Sequence, residues 1–307
     1  MSAAIAAAVA ALEAGDLVIM PTETVYGLAA DATNPQAIAR LYAAKGRPRF
    51  NPLISHVSGL EAALAHADLP TPARALAEAF WPGPLTLVAP RRVESPIAEL
   101  ACAGLKSVAL RAPNHAIAQD LLQAFGKPLA APSANVSGRL SPTSAEAARA
   151  ELGDQVKIIL DGGPCAHGLE STIIGFADGQ ARLLRPGAIA RDAIEGLIGP
   201  LANPQGGVEA PGMLTSHYAP RARIRLNAEA PDPGEAYLAF GAEAPHGGLS
   251  LSLSGDLTEA AAKLYAALRA LDASGAPVIA VAPIPMHGLG EAINDRLARA
   301  AAPRDPV

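Results

Sequence analysis

Leu17-Val-Ile-Met-Pro-Thr-Glu-Thr-Val-Tyr-Gly-Leu28 joins a short apolar run to a polar segment with two threonines and a tyrosine. Residues 17–20 end at Pro21, as a buried strand would, and the alanine-rich segment before them is helical in pattern. In open α/β sheets, ligands bind beyond the carboxyl ends of the strands. This segment therefore lies where a substrate is expected.

The same alternation of apolar runs and alanine-rich helical segments continues along the chain. It predicts helices at 5–14, 36–44, 72–80, 117–125 and 145–152. It predicts strands at 17–20, 52–57, 85–89, 108–111, 129–131, 157–160, 171–175 and 181–184. The helix at 145–152 is expected to begin with the capping box Thr143-x-x-Glu146. The mixed spacing favours an α/β (α+β mixed) fold with a twisted, open sheet of parallel and antiparallel strands.

Residues 199–221 interrupt this pattern with repeated prolines and glycines: Gly199-Pro200, Pro204, Gly206-Gly207, Pro211-Gly212 and Pro220. So many breakers indicate a linker. Strands follow at 224–226, 236–240, 249–253 and 278–281, with a helix at 257–271 and another at 290–301. We predict a first domain over 1–200, a linker or lid over 201–222, and a small Rossmann-like α/β domain over 223–307.

Composition limits the class of protein. The chain has 307 residues, half of them apolar and 17% charged, which excludes disorder, coiled coil and collagen. A net charge of −5 creates no global positive field, so any phosphate site must be local. Two cysteines without CxxC spacing fit a reducing cytosol. The apolar N-terminal run is too short for a membrane span, and we expect a cytoplasmic protein without membrane partners.

Standard nucleotide and catalytic motifs are absent from the sequence. Gly163 and Gly168 have Walker A spacing, but Leu169-Glu170 stands where Lys-Ser/Thr is required. Gly288-x-Gly290 lacks the third small residue of a dinucleotide fingerprint. No spacing indicates a nucleophile with its base or a tight zinc site.

Two segments without acidic residues carry the functional signal. Lys45-Gly-Arg-Pro-Arg-Phe-Asn-Pro52 is a stiff basic loop, and Pro132-Ser-Ala-Asn-Val-Ser-Gly-Arg-Leu-Ser141 offers hydroxyls and amides. Lysine and arginine on the first, with small donors on the second, suit phosphate oxygens. The alternatives are a solvated basic turn and a Ser/Asn-rich turn leading to a helix cap. Arg111 and Arg185, at predicted strand ends, are candidates for a carboxylate, and His56 for a ligand contact or a structural role.

Taken in order, these segments resemble the YrdC-type threonylcarbamoyl-AMP synthases. The resemblance rests on the following stretches: Pro21-Thr-Glu-Thr-Val-Tyr-Gly-Leu28, Lys45-Gly-Arg-Pro48, Asn51-Pro-Leu53, His56-Val57, Pro132-Ser-Ala-Asn-Val-Ser-Gly138, Ser171-Thr172 and Leu184-Arg-Pro-Gly187. Pro211-Gly-Met213, His217-Tyr-Ala-Pro220 and Asn294-Asp-Arg-Leu297 look like the longer, two-domain form.

The resemblance implies a nucleotidyltransferase that makes threonylcarbamoyl-AMP and pyrophosphate from L-threonine, bicarbonate and ATP, with Mg²⁺. The product would serve modification of tRNA adenosine by separate transfer proteins, without stable nucleic-acid binding by this chain. The resemblance assigns Lys45 and Arg47 to catalysis. It assigns threonine binding to Thr24, His56, Arg111, Ala131 and Ser171. It assigns ATP binding to Arg47, Asn51, Ser107, Ser133, Asn135, Ser141, Arg185 and Tyr218.

Two other functions remain open at this point. Carbamoyltransferases that mature hydrogenases share a YrdC-type domain, but they carry acylphosphatase and zinc-finger regions that this sequence lacks. An RNA-binding protein could use a concave basic sheet, although the chain is acidic and has only eleven aromatic residues for stacking.

Overall fold

The computed structural model describes residues 2–177, 179–203, 210–213, 217–245 and 247–303. Part of the predicted linker, including Pro204 and Gly206-Gly207, lies outside the described residues. So do the last four residues of the predicted second domain.

Within the described residues, nine strands form one open sheet. In chain order they are β1 (Val18–Met20), β2 (Gly27–Asp31), β3 (Ile54–His56), β4 (Leu85–Pro90), β5 (Ser107–Arg111), β6 (Leu129–Ala130), β7 (Ile158–Ile159), β8 (Thr172–Ala177) and β9 (Gln180–Arg185). They lie side by side in the order β7-β1-β2-β6-β3-β5-β4-β8-β9. The pairs β1–β7, β3–β5 and β4–β8 are parallel, and the others are antiparallel. The mixed sheet predicted from the sequence is confirmed.

The helices of this part are α1 (Ala3–Glu13), α2 (Pro35–Lys45), α3 (Leu60–Leu64), α4 (Thr71–Phe80), α5 (Ala116–Phe125), α6 (Ala145–Leu152) and α7 (Arg191–Ile198). Helix α6 has its predicted bounds, but the predicted cap is wrong by one residue. Ser144 is the N-cap, and its hydroxyl accepts a hydrogen bond from the amide of Ala147 at 3.1 Å. A capping side chain reaches the third helical amide, which places the cap at Ser144 and not at Thr143.

The sequence did not predict β2, because the polar segment after β1 is a tight turn. The Thr22 hydroxyl accepts hydrogen bonds from the amides of Thr24 and Val25 and donates to the Val25 carbonyl. The chain therefore reverses, and β2 pairs with β1 from Met20↔Gly27 onwards. In a turn of this kind, the side-chain hydroxyl makes hydrogen bonds with backbone groups that have no backbone partner.

The two faces of the sheet are covered differently. One face carries the largest apolar cluster, which joins strand residues to α2, α4 and α6. On the other face, α1 and α5 cover only the β1–β2–β6 end. Farther along that face, Ile54, Ala109 and Ile173 pack against Ala210 and Met213 of the predicted linker. No helix in the described part of the chain belongs to that apolar cluster, so the linker covers the face where β3, β5 and β8 lie.

A second sheet follows the linker. Its strands are β10 (Arg223–Arg225), β11 (Ala236–Ala239), β12 (Leu249–Ser250) and β13 (Val278–Val281), all parallel, in the order β10-β13-β11-β12. Helices α8 (Leu257–Ala273) and α9 (Gly290–Ala301) pack on it. Their apolar cluster also includes Val25, Leu169 and Tyr218, so the second sheet and its helices pack directly against the first part.

The helices of the described residues include none with the length and apolar character that crossing a bilayer requires.

Candidate active site

A row of polar side chains crosses adjacent strands of the first sheet. His56 ends β3 and Arg111 ends β5, and the two residues are in register. Ser171 stands just before β8, and Arg185 is the last residue of β9. Because β6, β3, β5, β4, β8 and β9 are neighbours, residues that are distant in sequence meet along one line. Strand ends at the edge of an open sheet are the expected position of a ligand site.

This row surrounds a cavity of about 40 Å³. Predicted site residues that line the cavity are Arg47, His56, Arg111, Ala131, Ser133, Ser171, Arg185 and Tyr218. Val25, Ile54, Pro132, Glu170, Pro211, Gly212 and His217 also line it. Its other predicted neighbours, Thr24, Lys45, Asn51, Ser107, Asn135 and Ser141, do not line it in this structure.

Arg111 is paired with a carboxylate that the sequence did not single out. Its guanidinium lies 2.8 Å from Glu23, and both side chains are buried. Apart from this ion pair, neither carboxylate oxygen of Glu23 has a hydrogen-bond donor within the described ranges of the chain. The pair explains how a cation can be buried at the end of β5 before any substrate arrives, since an unpaired buried charge is costly.

Arg185 lies at the opposite end of the row, and Ser171 lies between it and Arg111. Arg185 donates to the Ser171 carbonyl at 2.8 Å and to its hydroxyl at 3.2 Å. The hydroxyls of Ser171 and Thr86 lie 2.7 Å apart. Arg185 also donates to the carbonyl of Pro211 at 3.2 Å, so the same guanidinium binds both the sheet and the linker.

Two of the three basic side chains of the 45–52 loop, Lys45 and Arg47, are buried, whereas Arg49 is exposed. Arg47 donates to the carbonyls of Asn51 and Pro52, at 3.2 and 2.9 Å, and still lines the cavity. Burial lowers the pKa of Arg47 to about 10. Both polar atoms of the Asn51 amide are buried and have no hydrogen-bond partner among the described residues.

Lys45 occupies a different position from the one expected for a phosphate contact. Its ammonium donates to the carbonyls of Ser133 and Asn135, each at 2.5 Å, and the side chain is buried. Burial, followed by the charge of Arg47, lowers its pKa well below the ordinary value. In this structure Lys45 fastens the 132–141 loop to the end of α2 and does not line the cavity.

Within that loop, side chains mostly hold the loop itself. The Asn135 amide donates to the carbonyls of Val136 and Arg139, at 2.8 and 2.9 Å. The Ser141 hydroxyl donates to Glu170 at 2.6 Å. Backbone bonds from Leu28 to Pro132 and from Ala134 to Tyr26 attach the loop to β2.

Thr24 and Ser107 do not line the cavity. Thr24 is buried in the turn after β1, its hydroxyl 2.9 Å from that of Thr22. Ser107 is at the other end of β5 from Arg111. Alternate residues of a strand share a face, so Ser107, Ala109 and Arg111 all lie on the face that the linker covers.

The linker closes the cavity from outside. The Tyr218 ring is buried, and the Ala219 amide donates to the carbonyl of Gly138 at 2.8 Å. Gly212 has φ +83°, and a Cβ there would lie 2.6 Å from the Tyr218 hydroxyl oxygen and 2.9 Å from Cδ of Arg185. Only glycine fits this close approach.

Two histidines of the cavity are held neutral. Burial, then the charge of Arg111, lowers the pKa of His56 to about 3. Burial, then the charge of Arg47, lowers the pKa of His217 to about 3. In the part of the chain that the structure describes, the Nδ1 atoms of both rings have no hydrogen-bond partner. The cavity therefore combines three arginines with neutral rings, an arrangement suited to anions that also need uncharged donors or acceptors.

Family models match both parts of the chain. The Sua5/YciO/YrdC model, described as Telomere recombination, matches residues 10–187, and a model described as Threonylcarbamoyl-AMP synthase, C-terminal domain, matches residues 189–302. The chain belongs to the threonylcarbamoyl-AMP synthases. The predicted family and nucleotidyltransferase class are thereby confirmed.

Individual relatives agree over nearly the whole chain. The threonylcarbamoyl-AMP synthase of Bacillus subtilis is 38% identical, covering 98% of this chain and 93% of the relative. That of Pyrococcus abyssi is 37% identical, covering 94% and 92%. A crystal structure of P. abyssi Sua5 complexed with L-threonine superposes with a TM-score of 0.89 at 36% identity, covering 97% of this chain and 94% of that one.

Sequence reasoning missed several side chains of this synthase's site. The sequence assigns no role to Glu23, and it presents Glu170 only as a mismatch to the Walker A pattern. A carboxylate among the small and apolar residues of Gly168-Leu-Glu-Ser-Thr-Ile-Ile-Gly175 was the available signal. Thr86 offered no signal, because a threonine in a strand is ordinary.

Proposed function

We propose that this threonylcarbamoyl-AMP synthase binds L-threonine at the His56–Arg111 end of the polar row and ATP along the sheet face towards Ser107. Bicarbonate is the third substrate. The observation that carries the proposal is that Arg111, Arg185 and Arg47 line one cavity, beside a sheet face where the described linker residues Ala210 and Met213 pack. Two anionic reactants must meet there, and preformed cations suppress their repulsion.

The threonine end is matched to an amino acid with a hydroxyl. Arg111 binds the carboxylate with N–H donors left over from its pair with Glu23. Neutral His56 accepts or donates beside the amine without adding charge. The hydroxyls of Ser171 and Thr86 are the partners for the substrate hydroxyl, and Thr24 and Ala131 form the adjacent wall.

The amine of threonine combines with bicarbonate to give a carbamate and water. A carbamate oxygen then attacks the α-phosphorus of ATP, forming threonylcarbamoyl-AMP, and pyrophosphate leaves. Arg47 and Arg185 stabilise charge on the phosphates, while Asn51, Ser133 and the rest of the 132–141 loop position the nucleotide. Lys45 acts on this step through the loop that it holds.

The segment 201–222 acts as a lid. A cavity of about 40 Å³ is far below the several hundred Å³ of ordinary ligand pockets. Ala210 and Met213 lie on the apolar face of Ile54, Ala109 and Ile173, where a nucleotide base would pack. ATP entry therefore requires the linker to leave this face, and its return with Tyr218 excludes water from the mixed anhydride.

Mg²⁺ is proposed to enter with ATP. Around the cavity, Glu23 is paired with Arg111 and Glu170 with Arg296. Among the described residues, no group of three or more His, Cys, Asp or Glu side chains could hold a metal ion. The residues present therefore do not fit a protein-built magnesium site. Phosphate oxygens and water would hold the ion.

The product is a reactive adenylate that separate transfer proteins would use to modify tRNA adenosine. We place this chemistry in the cytoplasm, in keeping with two cysteines that are free and buried.

The deciding experiment incubates the protein with labelled bicarbonate, L-threonine and ATP. We expect label in a product that contains AMP, with one pyrophosphate released for each. Pyrophosphate release that does not depend on threonine, or label that never enters an adenylate, would refute the proposal.

A further inference from the structure

A buried arginine of the second part contacts Glu170, which lines the cavity. Arg296 lies in α9, and its side chain is 1% exposed. Its Nε donates to the Glu170 carboxylate at 2.8 Å, and its Nη2 donates to the Pro186 carbonyl at 2.9 Å. Arginine is rarely buried to this degree unless all its donors are used. Arg296 thus makes polar contacts with two segments of the first part, and it also forms an ion pair with Asp295 of its own helix.

Glu170 connects Arg296 to Ser141 of the 132–141 loop. It accepts hydrogen bonds from Ser141 at 2.6 Å, from Tyr265 at 2.8 Å and from Arg296. Burial raises the pKa of Glu170, but the charges of Arg296 and Arg185 outweigh burial and lower it to about 2. The carboxylate is therefore ionised, and Arg296 is the cation that compensates it most directly.

The same guanidinium lies against the linker. Its central carbon is 5.0 Å from the ring centre of Tyr218, whose ring is also 5.8 Å from that of Tyr265 and 4.0 Å from that of His217. Tyr218 has φ +61°, a conformation that tyrosine adopts only where its surroundings hold it. Arg296 thus touches the docked linker with its face and Glu170 with its edge.

We propose that Arg296 is a positioning residue, which couples docking of the linker at Tyr218 to the alignment of Ser141 through Glu170. The inference rests on the proposed ATP site. With the linker docked, the Tyr218 ring covers the guanidinium and shields its bond to Glu170 from water, which strengthens that bond. With the linker away, the guanidinium is open to water and Ser141 is held less firmly. ATP affinity therefore depends on a residue that does not touch ATP.

A contact that only holds the two parts together would not couple Tyr218 to Ser141. Arg191 supplies the control, because it joins α7 to Glu291 of α9 without touching Glu170 or Tyr218. Its loss should weaken the same interface while leaving the coupling intact.

The test is a double-mutant cycle on the full chain, with ATP affinity measured by calorimetry and threonine affinity measured separately. Arg296→Lys keeps a positive charge for Glu170 but loses the planar fork and its stacking. We expect Arg296→Lys and Tyr218→Ala each to weaken ATP binding about tenfold, and the double variant to be no weaker than the poorer single one. Arg191→Met should change ATP binding less than twofold, alone or added to Tyr218→Ala.

A second variant tests the coupling without leaving an unpaired buried charge that could prevent folding. Glu170→Gln/Arg296→Met removes both buried charges together, which spares the chain an unpaired one. It should also bind ATP about tenfold more weakly, with threonine affinity within twofold of the parent. Parental ATP affinity in this variant, or additive effects of Arg296→Lys and Tyr218→Ala, would overturn the coupling. Failure of the parent protein itself to bind ATP and threonine would instead refute the proposed function.

Discussion

Arg111 and Glu23 form a buried ion pair at 2.8 Å at the point where the threonine carboxylate is proposed to bind. A guanidinium has five N–H donors in a fixed plane and can serve two carboxylates at once. Glu23 thus keeps Arg111 in place in the absence of substrate. It also reduces the net positive charge that the substrate meets, so threonine affinity depends on both members of the pair.

Removal of Arg111 should therefore weaken threonine binding specifically. For Arg111→Met we expect at least a tenfold loss of threonine affinity, since a charge-assisted hydrogen bond contributes about 1.5–3 kcal/mol. ATP affinity should change less than twofold. Calorimetric titration with each substrate measures both, and the exposed Arg92, paired with Asp68, provides the control variant. Unchanged threonine affinity would place the carboxylate elsewhere.

Removal of Glu23 should make the stability of the protein depend more strongly on bound threonine. Glu23→Gln leaves Arg111 buried with an uncompensated charge, which costs about 3–5 kcal/mol of stability. The threonine carboxylate restores that compensation. Thermal melts with and without threonine should show a larger stabilisation by threonine in the variant than in the parent. Equal shifts in the two proteins would mean that threonine does not meet this guanidinium.

Lys45 and Arg49 stand on the same loop but should differ sharply. Lys45→Met removes two hydrogen bonds from a buried ammonium to the 132–141 loop, so we expect pyrophosphate release to fall at least ~100-fold. Arg49 is exposed, and Arg49→Met should stay within about twofold of the parent. Similar activity in the two variants would show that the loop does not need its attachment to α2.

The contrast between these two residues shows how far sequence reasoning reaches. Local signals were sufficient for helices such as α6 and α9 and for Arg111 and Arg185 at strand ends. The sequence could not show that Lys45 binds carbonyls instead of phosphate, because its partners lie about ninety residues away. Glu170 and Arg296 are 126 residues apart, and no local pattern joins them. Contacts between distant segments arise from sheet order and packing, which one sequence does not display.

Stability should fall below neutral pH because of two buried histidines. His56 and His217 have folded pKa values of about 3, against about 6.5 when unfolded. Below pH 6.5 the unfolded chain takes up protons that the folded chain does not. Each histidine therefore lowers the free energy of unfolding by ~2 kcal/mol between pH 7 and pH 5. Glu170, with a pKa of about 2, contributes fully above pH 4.5 and does not change in this window.

Denaturant titrations at pH 7 and pH 5 measure this loss. His217→Asn should remove about 2 kcal/mol of it, while His66 and His167, whose pKa values burial also lowers, contribute to the remainder. Substitution of the exposed His287 gives the control. A loss of the same size in His217→Asn and in the parent would show that His217 is not buried in the folded state in solution.

Docking of the linker can be tested at a single glycine. Gly212 has φ +83°, and an added Cβ would collide with the Tyr218 hydroxyl and with Arg185. Gly234 has φ +86° with nothing within 4 Å of an added Cβ, so Gly234→Ala carries the same backbone strain without the collision. Both variants should lose about 1–2 kcal/mol of stability from the left-handed conformation.

The activities of Gly212→Ala and Gly234→Ala should differ. In Gly212→Ala residue 212 cannot return to its place against Tyr218 and Arg185, and water reaches the mixed anhydride. We expect at least a tenfold loss of threonylcarbamoyl-AMP formation, with ATP hydrolysis accounting for a larger share of the pyrophosphate released. Gly234→Ala should form the adenylate at nearly the parental rate. If the two alanine variants lose activity equally, backbone strain is the cause and the contact of Gly212 with Tyr218 is not needed for closure.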